Sequence, residues 1–196
     1  MQQQTWAGAI RDVWRTATRH KIAAGLVAVC VAGSLTGIAL ASGTGASSSS
    51  AAPAAARTDP AAPTFTLPVL GHSGQHVSLS DYAGKPLIVN FFASWCQPCK
   101  QETPLLARFY RNEHGKVALV GMDENDAASS ALSFTRANGV TYPVGFDPQV
   151  TVASAYGVDA LPQTFFLNAK HRIVDRIFGA VTLADLSHGI ALATAD

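Results

Sequence analysis

Two cysteines, Cys96 and Cys99, are separated by two residues and lie where a predicted buried strand gives way to a helix. The preceding run, Pro86 to Ala93, is almost continuously apolar, as expected of a strand that is buried on both faces. A helix that begins near Gln97 places Cys96 beside free N–H groups and the positive end of the helix dipole. Both features favour the thiolate, which is the form of cysteine that attacks a disulfide.

One turn of that helix brings Cys99 round to Cys96, close enough for a disulfide between them. Pro98 suits the first helical turn, where its missing N–H costs no hydrogen bond. The alternatives are a structural disulfide, half of a zinc site or a pair of core thiols. A zinc site needs further ligands, and the sequence has no second CxxC and no paired-histidine spacing. The spacing therefore predicts a redox-active pair, with no metal or cofactor site.

Glu102 lies one turn after Cys99 on the same predicted helix. It belongs to an i, i+3, i+4, i+7 stripe together with three apolar residues, Leu105, Leu106 and Phe109. Such a stripe faces a core, and a carboxyl desolvated there has a raised pKa and holds a proton near neutral pH. Glu102 is therefore a candidate to exchange a proton with Cys99. The alternative is a half-exposed glutamate at the edge of the stripe.

Two segments resemble a known family. Val89 to Pro104, VNFFASWCQPCKQETP, resembles the active-site segment of the TlpA/ResA/DsbE group of membrane-tethered, thioredoxin-like thiol–disulfide oxidoreductases. Tyr156 to Leu167, YGVDALPQTFFL, resembles the cis-proline segment of the same group.

The resemblance implies a role for each matching residue. Cys96 attacks the partner, Cys99 resolves the mixed disulfide, and Pro162 forms a cis peptide bond beside the disulfide. A cis bond is far less costly before proline than before any other residue. Trp95 belongs to the same motif. Thioredoxins proper have a buried acid on the preceding strand; Asn90 at that position resembles this family and leaves Glu102 as the candidate acid. The only redox group implied is the Cys96–Cys99 disulfide itself.

Strands and helices alternate through the rest of the chain after residue 63. Short strands are predicted at Phe65 to Leu70 and Val77 to Leu79, and a β-α-β part then leads into a β-β-α part. This order predicts an α/β domain with a mixed central sheet and helices on both sides. The resemblance implies that this is the thioredoxin-like fold. One helix is predicted over Ala127 to Ala137, with Asp126 as its N-cap.

The N-terminal part of the chain has the pattern of a membrane anchor. Residues 22–41 carry no charge, and 20 helical residues span about 30 Å, the thickness of a bilayer core. Residues 1–21 contain four basic side chains, Arg11, Arg15, Arg19 and Lys21. A basic flank holds its end of a span in the cytoplasm. The competing interpretation is a cleaved signal peptide, because Ala39-Leu40-Ala41 has the small-x-small form of a cleavage site.

These patterns predict four segments. Residues 1–21 form a cytoplasmic basic segment, 22–41 a transmembrane anchor, 42–63 a linker rich in Ser, Ala and Pro, and 64–196 the redox domain. The redox domain is then outside the cytoplasm, on the far side of the membrane. Its expected partners are protein thiols and disulfides there, together with a membrane electron donor or acceptor.

The charge balance argues against a nucleic-acid partner. The chain has 14 Lys and Arg against 13 Asp and Glu, so its net charge is +1.

Three acidic residues, Asp123, Glu124 and Asp126, follow the second predicted buried strand. Such a run is typical of a solvated loop, and a cation site is the alternative. His72 and His76 flank Gly74, which predicts a solvated turn.

The predicted function is extracytoplasmic thiol–disulfide exchange. The resemblance favours reduction of a partner disulfide, for example in cytochrome c maturation. One alternative is a thiol peroxidase of the redoxin type, since peroxiredoxins share the fold, although their usual Thr-x-x-Cys setting is absent before Cys96. The other is a copper-carrying assembly factor with Cys96 and Cys99 as soft ligands, although such relatives have a wider Cys spacing and a His.

Overall fold

The computed structural model describes residues 59–113 and 117–195. The predicted basic segment (1–21), the predicted anchor (22–41) and most of the predicted linker (42–63) lie outside these ranges. Within the two described ranges, no helix is both long enough and apolar enough to cross a membrane.

The described residues alternate between strands and helices as the sequence predicts. The strands are β1 (Thr66–Pro68), β2 (His76–Ser78), β3 (Leu87–Phe92), β4 (Ala118–Glu124), β5 (Val144–Asp147), β6 (Gln163–Leu167) and β7 (Ile173–Phe178). The α-helices are α1 (Gln97–Glu113), α2 (Ala128–Ala137), α3 (Thr151–Ala155) and α4 (Leu183–Ala193), and a 3-10 helix covers Leu79–Tyr82.

The central sheet is mixed, as predicted. Its strand order is β5-β4-β3-β6-β7, and β1 and β2 form a separate antiparallel pair. β4 runs parallel to both β3 and β5, whereas β6 runs antiparallel to both β3 and β7. All residues of the central strand, β3, are buried, because it has strands on both edges and packing on both faces.

Side chains alternate between the two faces of β3, and each face has its own core. Leu87 and Phe91 pack with the β1–β2 pair and with Val152 of α3. Ile88 and Phe92 pack on the other face, where the core includes Leu106 of α1, Ala131 of α2 and Leu186 of α4. The prediction of helices on both sides of the sheet is confirmed.

Residues just before the predicted start of the domain at residue 64 are hydrogen-bonded to it. The Ala62 N–H donates to the His171 carbonyl at 2.9 Å, and the Ile173 N–H donates to the Pro60 carbonyl at 2.8 Å. These bonds attach the chain to the β6–β7 turn, where backbone groups at the start of an edge strand need partners. Residues 60 and 62, which belong to the predicted linker 42–63, are therefore hydrogen-bonded to the domain predicted over residues 64–196.

Gly189 of α4 provides a test of how the helix layer is packed. A Cβ added at Gly189 would lie 2.5 Å from three ring carbons of Phe166 in β6. Alanine is the better helix former by about 1 kcal/mol, but overpacking a buried site costs about 1–3 kcal/mol. We expect Gly189→Ala to lower the free energy of unfolding by up to about 2 kcal/mol in chemical denaturation.

Ser187→Ala, on the exposed side of the same helix, is the matched control. It should change the free energy of unfolding by no more than about 0.5 kcal/mol. A Gly189→Ala variant more stable than the wild type would show that helix propensity outweighs this contact.

Candidate redox-active site

Cys96 and Cys99 form a disulfide at the start of α1, with their Cα atoms 5.3 Å apart. Cys96 directly precedes the helix, and Cys99 lies in its first turn. The Cys99 N–H donates to Cys96 Sγ at 3.2 Å, so a free amide of the helix start faces that sulfur. Cys96 keeps 4% of its surface exposed and Cys99 none. Cys96 is therefore the sulfur that a partner can reach, and its position favours the thiolate.

The peptide bond between Leu161 and Pro162 is cis, as the resemblance implied. The next residue, Gln163, begins β6 and lies opposite Phe91 of β3. Pro162 therefore lies at the edge of the sheet from which the chain leaves β3 toward Cys96. Its carbonyl accepts from the N–H of Gly179 at 2.9 Å, which connects this segment to the end of β7.

Arg176 and Gln163 hold the segment that contains Pro162. Gln163 is buried; its Nε2 donates to Asp159 Oδ1 at 2.9 Å, and its Oε1 accepts from Nε of Arg176 at 3.0 Å and also from Nη2. Arg176 Nη2 also donates to the Gly157 carbonyl at 2.7 Å. The two side chains thus join both ends of the loop before β6 to the neighbouring strand.

The guanidinium of Arg176 lies against two aromatic rings. Its Cζ is 4.8 Å from the centroid of Phe165 and 4.3 Å from that of Phe178. Phe178 remains 66% exposed beside the Pro162 segment. Gln163 and Arg176 are not among the site residues predicted from the sequence; the available signal was a polar residue at the start of an otherwise apolar strand.

The loop after β4 holds the residues just before Cys96. Trp95 is 54% exposed, and its Nε1 donates to the Asn125 carbonyl at 3.0 Å. The Ser94 N–H donates to Asp126 Oδ2 at 2.6 Å. The prediction that Asp126 caps α2 is wrong, because Ala127 occupies the N-cap position with no side-chain cap. Asp126 instead accepts from the amides of Ser94 and Ala127.

Glu102 is buried on the apolar side of α1, with 2% of its surface exposed. Its Oε1 accepts from Asn90 Nδ2 at 2.8 Å, and its Oε2 accepts from the Val181 N–H at 2.8 Å. Burial raises the pKa of Glu102 to about 7, although both hydrogen bonds act to lower it. The predicted burial and raised pKa are confirmed, and the half-exposed alternative is wrong.

Asn90 connects Glu102 to the sheet. It lies on β3, and its Nδ2 donates also to Thr164 Oγ1 of β6 at 3.0 Å. Its Oδ1 has no hydrogen-bond partner in the described part of the chain. A half-turn of this amide would present an acceptor to Glu102, so Asn90 can serve either protonation state of the acid.

The acidic run at the end of β4 differs from its prediction as a solvated loop. Asp123 is fully buried and Glu124 keeps 8% of its surface exposed, because both are still part of the strand. Within residues 59–113 and 117–195, no group of three acidic, histidine or cysteine side chains is arranged to hold a metal ion. His72 lies in the turn between β1 and β2, and His76 begins β2; both are exposed.

Known proteins similar to this chain include thiol-disulfide oxidoreductases. The sequence model of the AhpC/TSA family matches residues 59–176. The chain is 34% identical over 122 residues to the thiol-disulfide oxidoreductase ResA of Bacillus subtilis (strain 168), which covers 62% of this chain and 67% of that protein.

Two solved structures share the fold. One is a thiol:disulfide interchange protein of the thioredoxin family from Chlorobium tepidum TLS, with a TM-score of 0.62 at 25% identity, covering 69% of this chain and 96% of that one. The other is a DsbF homologue from Corynebacterium diphtheriae, with a TM-score of 0.62 at 28% identity, covering 68% and 86%. The thioredoxin-like fold is confirmed.

The family match includes both segments that carried the resemblance, the one around Cys96 and Cys99 and the one around Pro162. The chain therefore belongs to the AhpC/TSA family, in which it groups with the ResA- and DsbE-like thiol–disulfide oxidoreductases.

Proposed function

We propose that this domain is a thiol–disulfide oxidoreductase that exchanges its Cys96–Cys99 disulfide with thiols and disulfides of partner proteins. The observation that carries this function is the disulfide at the start of α1, with the cis bond of Pro162 at the same edge of the sheet. The 34% sequence identity to the thiol-disulfide oxidoreductase ResA supports the same exchange reaction.

The reaction with a partner disulfide transfers two electrons in two exchange steps. The Cys96 thiolate attacks one partner sulfur, and the other partner sulfur leaves as a thiolate. Cys99 then loses its proton and attacks Cys96 Sγ, which re-forms the Cys96–Cys99 disulfide and releases the first partner sulfur. The domain is oxidised and the partner is reduced; the same steps in reverse oxidise a partner dithiol.

Cys99 needs a base inside the protein, because its side chain is fully buried. Glu102 lies one helical turn further along α1, and its pKa of about 7 lets it accept or give a proton near neutral pH. We assign to Glu102 the transfer of the Cys99 proton during resolution. The unpartnered Oδ1 of Asn90 can then accept a hydrogen bond from the protonated acid.

We also propose that the domain works outside the cytoplasm as a reductase, for example in cytochrome c maturation. The uncharged run 22–41 and the basic residues before it support a membrane tether. The resemblance to the TlpA/ResA/DsbE group supports the reducing direction.

Mass spectrometry of the mature chain tests the tether. We expect a chain that retains residues 1–41, because both the charged segment and the apolar run are longer than those of a typical signal peptide. A mature chain that begins at Ser42 would contradict the anchor and leave the redox domain free.

The order of the two cysteines is tested by trapping. With Cys99→Ser, a partner should remain attached to Cys96 as a mixed disulfide, because the resolving thiol is missing. Non-reducing electrophoresis and mass spectrometry identify the attachment site. Cys96→Ser is the matched control and should trap little, since Cys99 is fully buried. Equal trapping by both variants would refute the assignment.

The same assay separates this function from its alternatives. Wild-type protein should exchange with a model protein disulfide and form the trapped complex. Turnover of peroxide without disulfide exchange would favour a peroxidase. Tight Cu(I) binding by the reduced protein, again without exchange, would favour a copper carrier.

The role of Glu102 is tested with Glu102→Gln. Its folded pKa of about 7 lies above the ordinary value of 4.5, so wild-type stability is fully present below pH 4.5 and falls as pH rises through about 7. Glu102→Gln removes this loss. In chemical denaturation of the oxidised protein, the free energy of unfolding of the variant relative to the wild type should therefore rise with pH, by about 3 kcal/mol above neutrality.

The same variant should slow resolution through Cys99 by on the order of a hundredfold, as loss of a general base does. Glu113→Gln, at the end of the same helix, is the control for the loss of a carboxyl from α1. Wild-type exchange rates and unchanged stability across this pH range would show that Glu102 has no role in proton transfer.

A further inference from the structure

Asp123 is a buried acid that the exchange mechanism does not use. It lies one residue before the end of β4, none of its surface is exposed, and neither carboxyl oxygen has a hydrogen-bond partner in the described part of the chain. An ionised carboxylate buried without donors is strongly disfavoured. The side chain must therefore be neutral, or share a proton with another acceptor.

The position of Asp123 connects it to the disulfide. It pairs with Phe92, the last residue of β3, from which the chain turns toward Cys96. Side chains alternate along β4, and the site of Gly121 contacts Phe92 and Tyr142. Asp123 therefore faces the same side of the sheet as Gly121, which is the side that carries α1.

Asp126 is the acceptor available to a proton on Asp123. The Ser94 amide that Asp126 binds is two residues beyond Phe92, the strand partner of Asp123, and the Asp126 carboxyl raises the pKa of Asp123. Both oxygens of Asp126 already accept backbone amides, Oδ2 from Ser94 at 2.6 Å and Oδ1 from Ala127 at 2.7 Å. Two acceptors bond only through a proton, and amide donors favour the ionised form. The negative charge therefore belongs to Asp126 and the proton to Asp123.

We propose that protonated Asp123 is a positioning residue for the exchange reaction. It donates a hydrogen bond to the Asp126 carboxylate and so fixes the acceptor of the Ser94 amide, two residues before Cys96. Loss of that proton places a second negative charge against Asp126. The Ser94 hydrogen bond then weakens, and the turn that presents Trp95 and Cys96 loosens. The effect of this proton on the exchange rate rests on the proposed function. Its effect on the turn that contains Ser94 and Trp95 does not.

The charged groups around Asp123 all oppose its ionisation. Burial raises the pKa of Asp123 to about 8, and repulsion from Asp126 and then Glu124 acts in the same direction. On β5, Asp147 lies near Glu124 and raises the pKa of that acid in turn. On α1, Glu102 meets this side of the sheet through its hydrogen bond with Asn90 of β3. Asp123 can therefore hold its proton at neutral pH and release it in mildly alkaline solution.

Trp95 reports on the turn directly. The full chain contains three tryptophans, so Trp6→Phe and Trp14→Phe leave Trp95 as the only one. With the Cys96–Cys99 disulfide intact, no cysteine thiol of the redox pair titrates. We expect the Trp95 emission maximum to shift between about pH 7 and pH 9, centred near the pKa of Asp123.

Asp123→Asn should abolish this shift, because the amide donates to Asp126 at every pH as the protonated acid does. Glu124→Gln, which removes the adjacent carboxyl from β4, is the matched control and should retain the shift. Asp126→Asn should move the midpoint to lower pH, because it removes the facing negative charge. A wild-type protein without the shift, a shift that persists in Asp123→Asn, or one abolished by Glu124→Gln overturns the proposal.

The exchange rate gives the second readout. The ratio of the Asp123→Asn rate to the wild-type rate should rise about tenfold from pH 6 to pH 9, where about a tenth of Asp123 stays protonated. A ratio independent of pH, with the Trp95 shift present, overturns the role in exchange. If no variant exchanges any disulfide while the Trp95 shift follows Asp123, the proposed function fails and the positioning of the turn stands.

Discussion

The passage from β3 into α1 is the constraint on which the rest of the site depends. β3 is buried throughout and ends at Phe92, and α1 begins at Gln97. This short distance obliges Cys96 to lie at the helix start, where free amides stabilise a thiolate. The neighbours of β3 in the sheet supply the remaining parts: β6 begins just after Pro162, and β4 leads into the loop that holds Ser94 and Trp95.

Burial and hydrogen bonding divide the acids of the site into different roles. Glu102 and Asp126 each accept two hydrogen bonds, but Glu102 is almost fully buried, so desolvation raises its pKa to about 7. Asp123 is buried with no donor in the described residues, and this favours the neutral acid. Glu102 is thus suited to move a proton at Cys99, Asp126 to carry a negative charge and Asp123 to retain a proton.

The segment around Pro162 is held by residues of the neighbouring strand β7. Arg176 bonds to Gln163 and to the Gly157 carbonyl, and its guanidinium lies against the rings of Phe165 and Phe178. Charge-assisted bonds of this kind fix geometry as well as adding stability. The exposed Trp95, beside Cys96, and the exposed Phe178, opposite Gln163, therefore both lie on segments that hydrogen bonds hold in place.

The sequence by itself determined the local features. The Cys96–Cys99 pair at a helix start and the burial of Glu102 follow from spacing and periodicity, and the cis Pro162 followed from the resemblance. Tertiary structure decided which groups meet. Val181, a donor to Glu102, is 79 residues away along the chain, and the Ser94 amide that Asp126 binds is 32 residues away. Local patterns describe only neighbours within a few turns, so Asp126 resembled a helix cap and Asp123 part of a solvated loop. In the folded domain, Asp123 is buried because it is part of the paired strand β4, and Asp126 binds the Ser94 amide close to Cys96.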